Sequence, residues 1–422
     1  MLIIYRFLIN LVFLFSPIIL IFRLIKKKEH KNRFKEKFCF FSKTRKKGKV
    51  LWFHGASVGE IQSIIPIIEK LEKKNDINQI LITSNTLSSS KIIERFNFKK
   101  VVHQFFPIDT NYHSKKFLDF WKPSIAFFID SEIWPNTIIN LESKKIPIVI
   151  LNGRLTKKSF TRWKNLPNFS NFIFKKITLC LTSSEISKKY LKKLGVKRVK
   201  FLGNLKFSQS ENENLIKLKT LNKFISSKKI WCASSTHYNE EKLCGLIHKE
   251  VKKKYKNLLT IIIPRHIERT NEIYDKLNTM KLNILIKSTN KKLNNKTDIF
   301  IVDAYGETKY FYNLSKLVFM GGSLINHGGQ NPIEPARFNK KVIHGPYVDN
   351  FKDIYEFFAK QKVTYKVKNI TQLVQKAEKI LKNKSSFKLN LDEMGRNILR
   401  KTSNEINKKF YNEIQKTKIL GL

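Results

Sequence analysis

The chain has 422 residues, with 82 Lys+Arg against 33 Asp+Glu and a formal net charge of +49. That length is more than one hydrophobic core usually fills and suggests two domains with an appendage, while the charge draws the surface to polyanions: nucleic acid, anionic lipid or a phosphorylated substrate. Four cysteines with no C-x-x-C pair, and no Cys/His cluster at zinc-ligand spacing, argue against a disulfide scaffold and a structural metal, and the lack of a ribonucleoprotein motif, zinc finger or compact basic stripe makes nucleic acid the weaker partner.

The first element runs from Phe7 to Phe22, apolar except for Asn10, Ser16 and Pro17 and flanked by Arg6 and Arg23. With the arginines snorkelling, Leu2 to Ile25 is long enough for a membrane, so residues 1–25 are expected to form a single-pass anchor. Residues 26–48 form a basic juxtamembrane segment, and by the positive-inside rule everything after it stays cytoplasmic. A cleavable signal peptide fits poorly, because no small-residue cleavage site follows and the basic cluster lies on the wrong side of the apolar run.

Next comes an apolar run, Val50 to Phe53, then His54-Gly55-Ala56-Ser57-Val58-Gly59-Glu60, then Ile61, Ile64, Ile65, Ile68 and Leu71 at the spacing of one helix face. This reads as strand, small-residue loop and helix start. Gly55 and Gly59 let backbone approach a ligand, and Glu60 sits at the mouth of that site. The plainer alternative is that Ser57 caps the helix and Glu60 completes a capping box. Residues 49–207 continue with continuous apolar runs at 80–83, 101–102, 125–129, 148–151 and 177–181, separated by amphipathic helices. Such runs imply a parallel sheet covered on both faces. A polar stretch at 208–228 reads as a linker. The alternation restarts in residues 229–422, with runs at 230–233, 258–263, 283–286, 299–302, 317–320 and 342–343, and after Ile354 the chain reads as helices. The expected fold is α/β, two doubly wound Rossmann-like domains facing a cleft, with ligands at the carboxyl ends of the strands.

The polar clusters fall at those strand ends. Glu60 and Glu132 are the catalytic candidates, and Ser57, Gly59, Arg154, Lys206, Thr236 and His237 are candidates for substrate contact. In the second half, Gly321-Gly322-Ser323 after a buried strand and Gly328-Gly329 before a helix offer N–H groups to a phosphate without a metal. Arg265 and His266 add a cation and a ring N–H, and Glu334 can accept both hydroxyls of a ribose, although Asn331 and Glu334 also stand at capping-box spacing.

Nine motifs, HGASVGE, SEIWPN, NGRL, GNLKF, SSTHYNEE, PRHIER, DAYGET, GGSLINHGGQNPIEPARF and HGPYVDNF, in this order resemble the Kdo (3-deoxy-D-manno-octulosonic acid) transferases of lipopolysaccharide synthesis. The resemblance covers about residues 45–355 together with the N-terminal anchor. It implies a GT-B type glycosyltransferase of the bacterial inner membrane, with the first domain for a lipid A precursor (lipid IVA), the second for CMP-Kdo, and no cofactor. Carried over by motif, Glu60 is the general base of an inverting transfer, and Arg265, His266, Ser323, Asn331 and Glu334 hold CMP. At Ser234 and Asn239 this chain departs from the family, which more often has glycine at both.

The residue chemistry suits such a transfer. An acceptor hydroxyl must lose a proton to Glu60, a leaving phosphate must be neutralised, and a cation must face the sugar carboxylate, for which Arg154 and Lys206 are the choices. Two other classes stay open: a GT-B enzyme with another nucleotide donor, separable by testing CMP against UDP and GDP, and a non-enzymatic membrane protein binding polyanions. Against the last stands Glu60, since an acid at a glycine loop facing anions has little use in a binding module.

Overall fold

The computed structural model describes residues 1–208, 228–289, 293–382 and 389–419. All but the two end residues of the expected linker, 208–228, lie outside them. By contact the chain divides into two compact units, Met1–Glu211 with Asp392–Leu422, and Asn212–Leu391.

The first unit is built on seven parallel strands: β1 (Val50–His54), β2 (Gln79–Ser84), β3 (Val101–Phe105), β4 (Ile125–Ile129), β5 (Ile148–Gly153), β6 (Leu179–Thr182) and β7 (Val199–Phe201). Their order is β3-β2-β1-β4-β5-β6-β7, so the winding reverses between β1 and β4. Every residue of β1, β4 and β5 is buried, which is why these strands read as continuous apolar runs. Trp52 of β1 packs among Phe106, Phe117 and Phe128 on one face, and Phe53 stacks on Phe127 on the other. The second unit has seven parallel strands as well: β8 (Lys229–Thr236), β9 (Leu258–Pro264), β10 (Ile284–Ile286), β11 (Ile299–Ile301), β12 (Leu317–Met320), β13 (Lys341–His344) and β14 (Thr364–Lys366). The order is β10-β11-β9-β8-β12-β13-β14, with the reversal between β8 and β12. Apolar side chains fill both faces of this sheet.

Two strands are added to the sequence reading, and two expectations change. The short edge strands β7 and β14 were not legible, because each is three residues long and lysine-bearing; lysine on an edge strand guards it against pairing and erases the apolar run. The helix Leu391–Ile419 does not belong with the second domain. It packs on the first unit, where Lys200 Nζ donates to Glu405 Oε2 at 2.7 Å and Lys74 Nζ to Asn407 Oδ1 at 2.6 Å. A Cβ at Gly203, whose φ is +106°, would stand 2.7 Å from Ile398 of this helix. The helix Leu2–Ile25, finally, is not a free appendage: Tyr5 and Arg6 hydrogen-bond to Asp109, Asn111 and Asn136 of the first unit.

Candidate active site

In the first unit the polar groups gather where β1 and β4 part. Ser57 is the cap of the helix Val58–Glu72, its Oγ accepting the Glu60 N–H at 3.4 Å. The Glu60 carboxylate folds back, taking the Ser57 hydroxyl at 2.8 Å on Oε1 and the Ala56 N–H at 2.7 Å on Oε2. This is close to the capping box, except that the backbone donor is Ala56 rather than Ser57. Those two donors stabilise the charged form, yet burial, reinforced by the negative Asp130 and Glu132, pushes the Glu60 carboxyl up to about 7. A base poised there suits proton abstraction near neutrality. A Cβ at Gly59 would meet nothing within 4 Å, so neither packing nor φ demands glycine in this first turn. The space is open to a ligand.

Asp130, directly after β4, and Asn152, next to last in β5, have left-handed backbone, at φ +56° and +55°. This conformation is costly for most L-residues and tolerated by Asp and Asn. Their side chains interlock: Asn152 Nδ2 donates to Asp130 Oδ1 at 2.5 Å, and Asn152 Oδ1 accepts the Leu205 N–H at 2.8 Å. Lys206 Nζ lies 3.5 Å from Asp130 Oδ2, and the Arg154 N–H donates to Asp130 O at 3.3 Å. The strand ends thus bring Arg154 and Lys206 to Asp130, a residue to which the sequence reading assigned no role. Its signal was an aspartate directly after a five-residue apolar run.

Glu132 accepts Trp134 Nε1–H at 2.9 Å and lies 3.3 Å from His54 Nε2, without the alignment of a hydrogen bond. His54 is fully buried, stacked 4.0 Å from Phe106, and its Nδ1 is 2.9 Å from Thr83 Oγ1. Thr83 is a second group without an assigned role in the sequence reading. Its hydroxyl also accepts Trp52 Nε1–H, so one side chain at the end of β2 fixes a tryptophan and a histidine of β1.

The second unit corrects the phosphate cradle. The N–H groups of Gly322, Ser323 and Leu324 already donate to Glu240, at 2.7, 3.2 and 3.1 Å, and the His237 N–H adds a fourth bond at 3.0 Å. Ser323 is fully buried, its hydroxyl donating to Met320 O and accepting the Gly345 N–H. These groups face an internal carboxylate, not a ligand. The glycines answer to the fold: a Cβ at Gly321 would stand 2.4 Å from Ser235 O, and Gly322 has φ +65°. The helix after Gly328-Gly329 has only five residues, Ile333–Arg337, too short for a useful dipole. Asn331 Oδ1 accepts the Ile333 N–H at 3.1 Å, and Glu334 Oε2 accepts the Thr308 hydroxyl at 3.5 Å.

With these backbone N–H groups taken by Glu240, the groups left to offer an anion are side chains. Arg265 and His266 are exposed just after β9. His237 lies with its ring 4.0 Å from that of His327 and 6.0 Å from that of His266. Burial first, then electrostatic interaction with His327, His266, Arg265 and Arg269, lowers the His237 imidazole to about 4, so it is neutral at physiological pH. Thr236 Oγ1 is buried without a hydrogen-bond partner among the described residues. The loop departure also resolves: Asn239 has φ +72°, a conformation Asn tolerates, whereas Ser234 is ordinary buried strand with its hydroxyl 2.6 Å from that of Tyr312.

Residues 32–209 match the family model described as 3-Deoxy-D-manno-octulosonic-acid transferase (kdotransferase). The chain is 30% identical over 400 residues to the 3-deoxy-D-manno-octulosonic acid transferase of Haemophilus influenzae, covering 92% of this chain and 93% of the relative. It is 33% identical over 384 residues to the enzyme of that name from Rickettsia bellii, covering 89% and 91%. Among solved structures, a putative UDP-N-acetylglucosamine 2-epimerase from Listeria monocytogenes superposes with a TM-score of 0.59 at 12% identity, over 86% of this chain and 97% of that one. That likeness is one of fold, the GT-B arrangement of two parallel-sheet α/β domains in one chain.

Proposed function

The chain belongs to the 3-deoxy-D-manno-octulosonic acid (Kdo) transferase family and is a glycosyltransferase, and on that premise we propose that it moves Kdo from CMP-Kdo to the lipid A precursor lipid IVA, with inversion and with Glu60 as general base. The observation that carries the reading is the Glu60 carboxyl, held by Ala56 and Ser57 beside an open first turn and raised to about 7 by burial and two acidic neighbours.

In this mechanism the acceptor hydroxyl gives its proton to Glu60 as its oxygen bonds to the anomeric carbon of Kdo. The bond from that carbon to the phosphate oxygen breaks, and CMP leaves with the electron pair. Glu132 acts on Glu60 rather than on substrate: its negative charge helps hold the base protonatable near neutrality. Ser57 keeps the base aimed, and Gly59 leaves room for the acceptor. The Kdo carboxylate faces Arg154 and Lys206, the latter with its charge already partly matched by Asp130. On the second unit Arg265 and His266 meet the phosphate, Thr236 and neutral His237 hydrogen-bond the donor, and Glu334 with Asn331 takes the ribose. Gly321, Gly322 and Ser323 shape this site through Glu240 rather than by touching phosphate. Lipid at the bacterial inner membrane is the proposed setting, with the apolar helix Leu2–Ile25 as anchor and the catalytic units on the cytoplasmic face.

The test is incubation of the purified full chain with CMP-Kdo and lipid IVA, with mass analysis of the lipid. The reading requires a product heavier by whole Kdo residues and release of CMP. Transfer only from a UDP- or GDP-sugar would replace it with another glycosyltransferase activity.

A further inference from the structure

The helix Leu2–Ile25 has one packed face and one bare face along its whole length. Tyr5, Ile9, Phe13, Ser16 and Leu20 recur every three or four residues and, with Leu2, Arg6, Arg23 and Leu24 at the ends, are the shielded positions. Ile3, Phe7, Leu14, Ile18, Phe22 and Ile25 lie on the other side, each more than half exposed. The packed face is closed by specific bonds at both ends. Tyr5 O–H donates to Asp109 Oδ2 at 2.7 Å, and Arg6 Nε donates to Asn136 Oδ1 at 3.0 Å. In the middle the Phe13 ring sits 4.7 Å from His113 and 5.8 Å from Phe38. At the far end Arg23 Nε donates to the buried Glu29, which Lys37 also grips at 2.7 Å.

Asp109 cannot follow Tyr5 across a bilayer. Its carboxylate also takes the N–H groups of Asn136 and Thr137 at 3.0 and 2.9 Å, capping a helix, Pro135–Ser143, that has no side-chain cap of its own. At ~1.5 Å per residue the 24-residue helix is about 36 Å long, as long as a bilayer core is thick. A spanning helix would carry Tyr5 and Arg6 to the side opposite Lys26, so those hydrogen bonds and a transmembrane span exclude one another.

We propose that this helix is an in-plane, monotopic anchor: its bare face is sunk among the acyl chains of an anionic bilayer while its other face stays docked on the first unit. This rests on the anchor reading above and replaces the single-pass arrangement expected from the sequence. Charge complementarity supports the occupant, since exposed Lys26, Lys27, Lys28 and Lys31 follow the helix directly and lie within reach of lipid phosphates. Among the exposed positions of the helix only Asn10 and Pro17 interrupt the large apolar side chains.

The test uses a Leu2→Cys variant of the full chain in sealed inside-out inner-membrane vesicles, labelled with a membrane-impermeant maleimide. The four native cysteines are buried, so the label reads one site. The in-plane helix requires that the chain survive a high-salt wash and that Leu2→Cys react without detergent. An Ile18→Glu variant, altered only on the bare face, should bind membrane at least tenfold more weakly with an unchanged melting temperature. Retention with labelling only after detergent means the helix spans, which overturns the in-plane proposal but leaves the anchor intact. Loss of the chain in high salt sinks both. A discrete dimer in lipid-free buffer that Ile18→Glu dissociates would give the face to a second copy and overturn the proposal as well.

Discussion

The Ala56 N–H and the Ser57 hydroxyl favour a charged Glu60, while burial, Asp130 and Glu132 oppose that charge, and the balance falls at about 7. If Glu60 must be deprotonated to work, kcat/KM rises with pH along a limb set by that group. Glu132→Gln removes one negative neighbour, which makes the Glu60 carboxylate easier to form, so the limb should move to lower pH. It should not reach the ordinary carboxylate range, because burial is the largest cause and remains. A pH–rate profile checks this, and a limb that stays put or moves up would detach Glu132 from Glu60. Gly59→Ala separates fold from function at the neighbouring residue. With nothing near the new methyl and a helical position beneath it, stability should hold or rise by up to ~1 kcal/mol. Turnover should fall at least tenfold if the acceptor needs that space, and unchanged turnover would take Gly59 out of the site. Glu60, Ser57 and Gly59 were legible because strand, small residues and helix face follow one another directly. The roles of Asp130 and Asn152 were not, because their left-handed backbone and interlocked side chains come from the way the chain leaves β4 and β5 rather than from any spacing.

At the scale of elements, the loop after β12 is held by a helix that starts after β8. The Glu240 carboxylate, at the first turn of the helix Glu240–Lys254, satisfies four backbone N–H groups. Glu240→Gln keeps the shape but turns one oxygen into a donor facing donors. At ~1.5–3 kcal/mol for each hydrogen bond to a charged group, losing even two should cost the fold roughly 3–6 kcal/mol. Denaturant unfolding checks this, and an unchanged midpoint would mean that the loop's N–H groups are available to phosphate after all. The glycine pattern GGS at a strand end carries the same letters whether its N–H groups meet a ligand or an internal acid. Only the position of Glu240 distinguishes the two. Edge strands β7 and β14 were likewise silent, since lysine in a three-residue strand leaves no apolar run to read.

Across the whole molecule, the two-domain α/β architecture was readable from buried parallel strands, whereas the path of the chain's end was not. The helix Leu391–Ile419 buries Ile398 and Ile406 and clasps the first unit through Lys74 and Lys200. A chain ending at residue 390 should therefore lose stability in its first unit and leave the second nearly unchanged. Hydrogen exchange resolved by unit checks this, and protection lost from the second unit instead would return the helix to it. The helix gave no sequence sign of its partner because Lys-rich exposed faces look alike whichever unit they cover. Whether this family member transfers Kdo with Glu60 as its base is decided by turnover of Glu60→Gln at saturating CMP-Kdo and lipid IVA. Gln preserves the size and the contact with Ser57 but cannot take a proton, so the variant should melt like the wild type, bind donor normally and lose roughly 10²–10⁴ in turnover. A folded Gln variant that keeps more than about a tenth of wild-type turnover would contradict the claim and leave Glu60 as a helix cap.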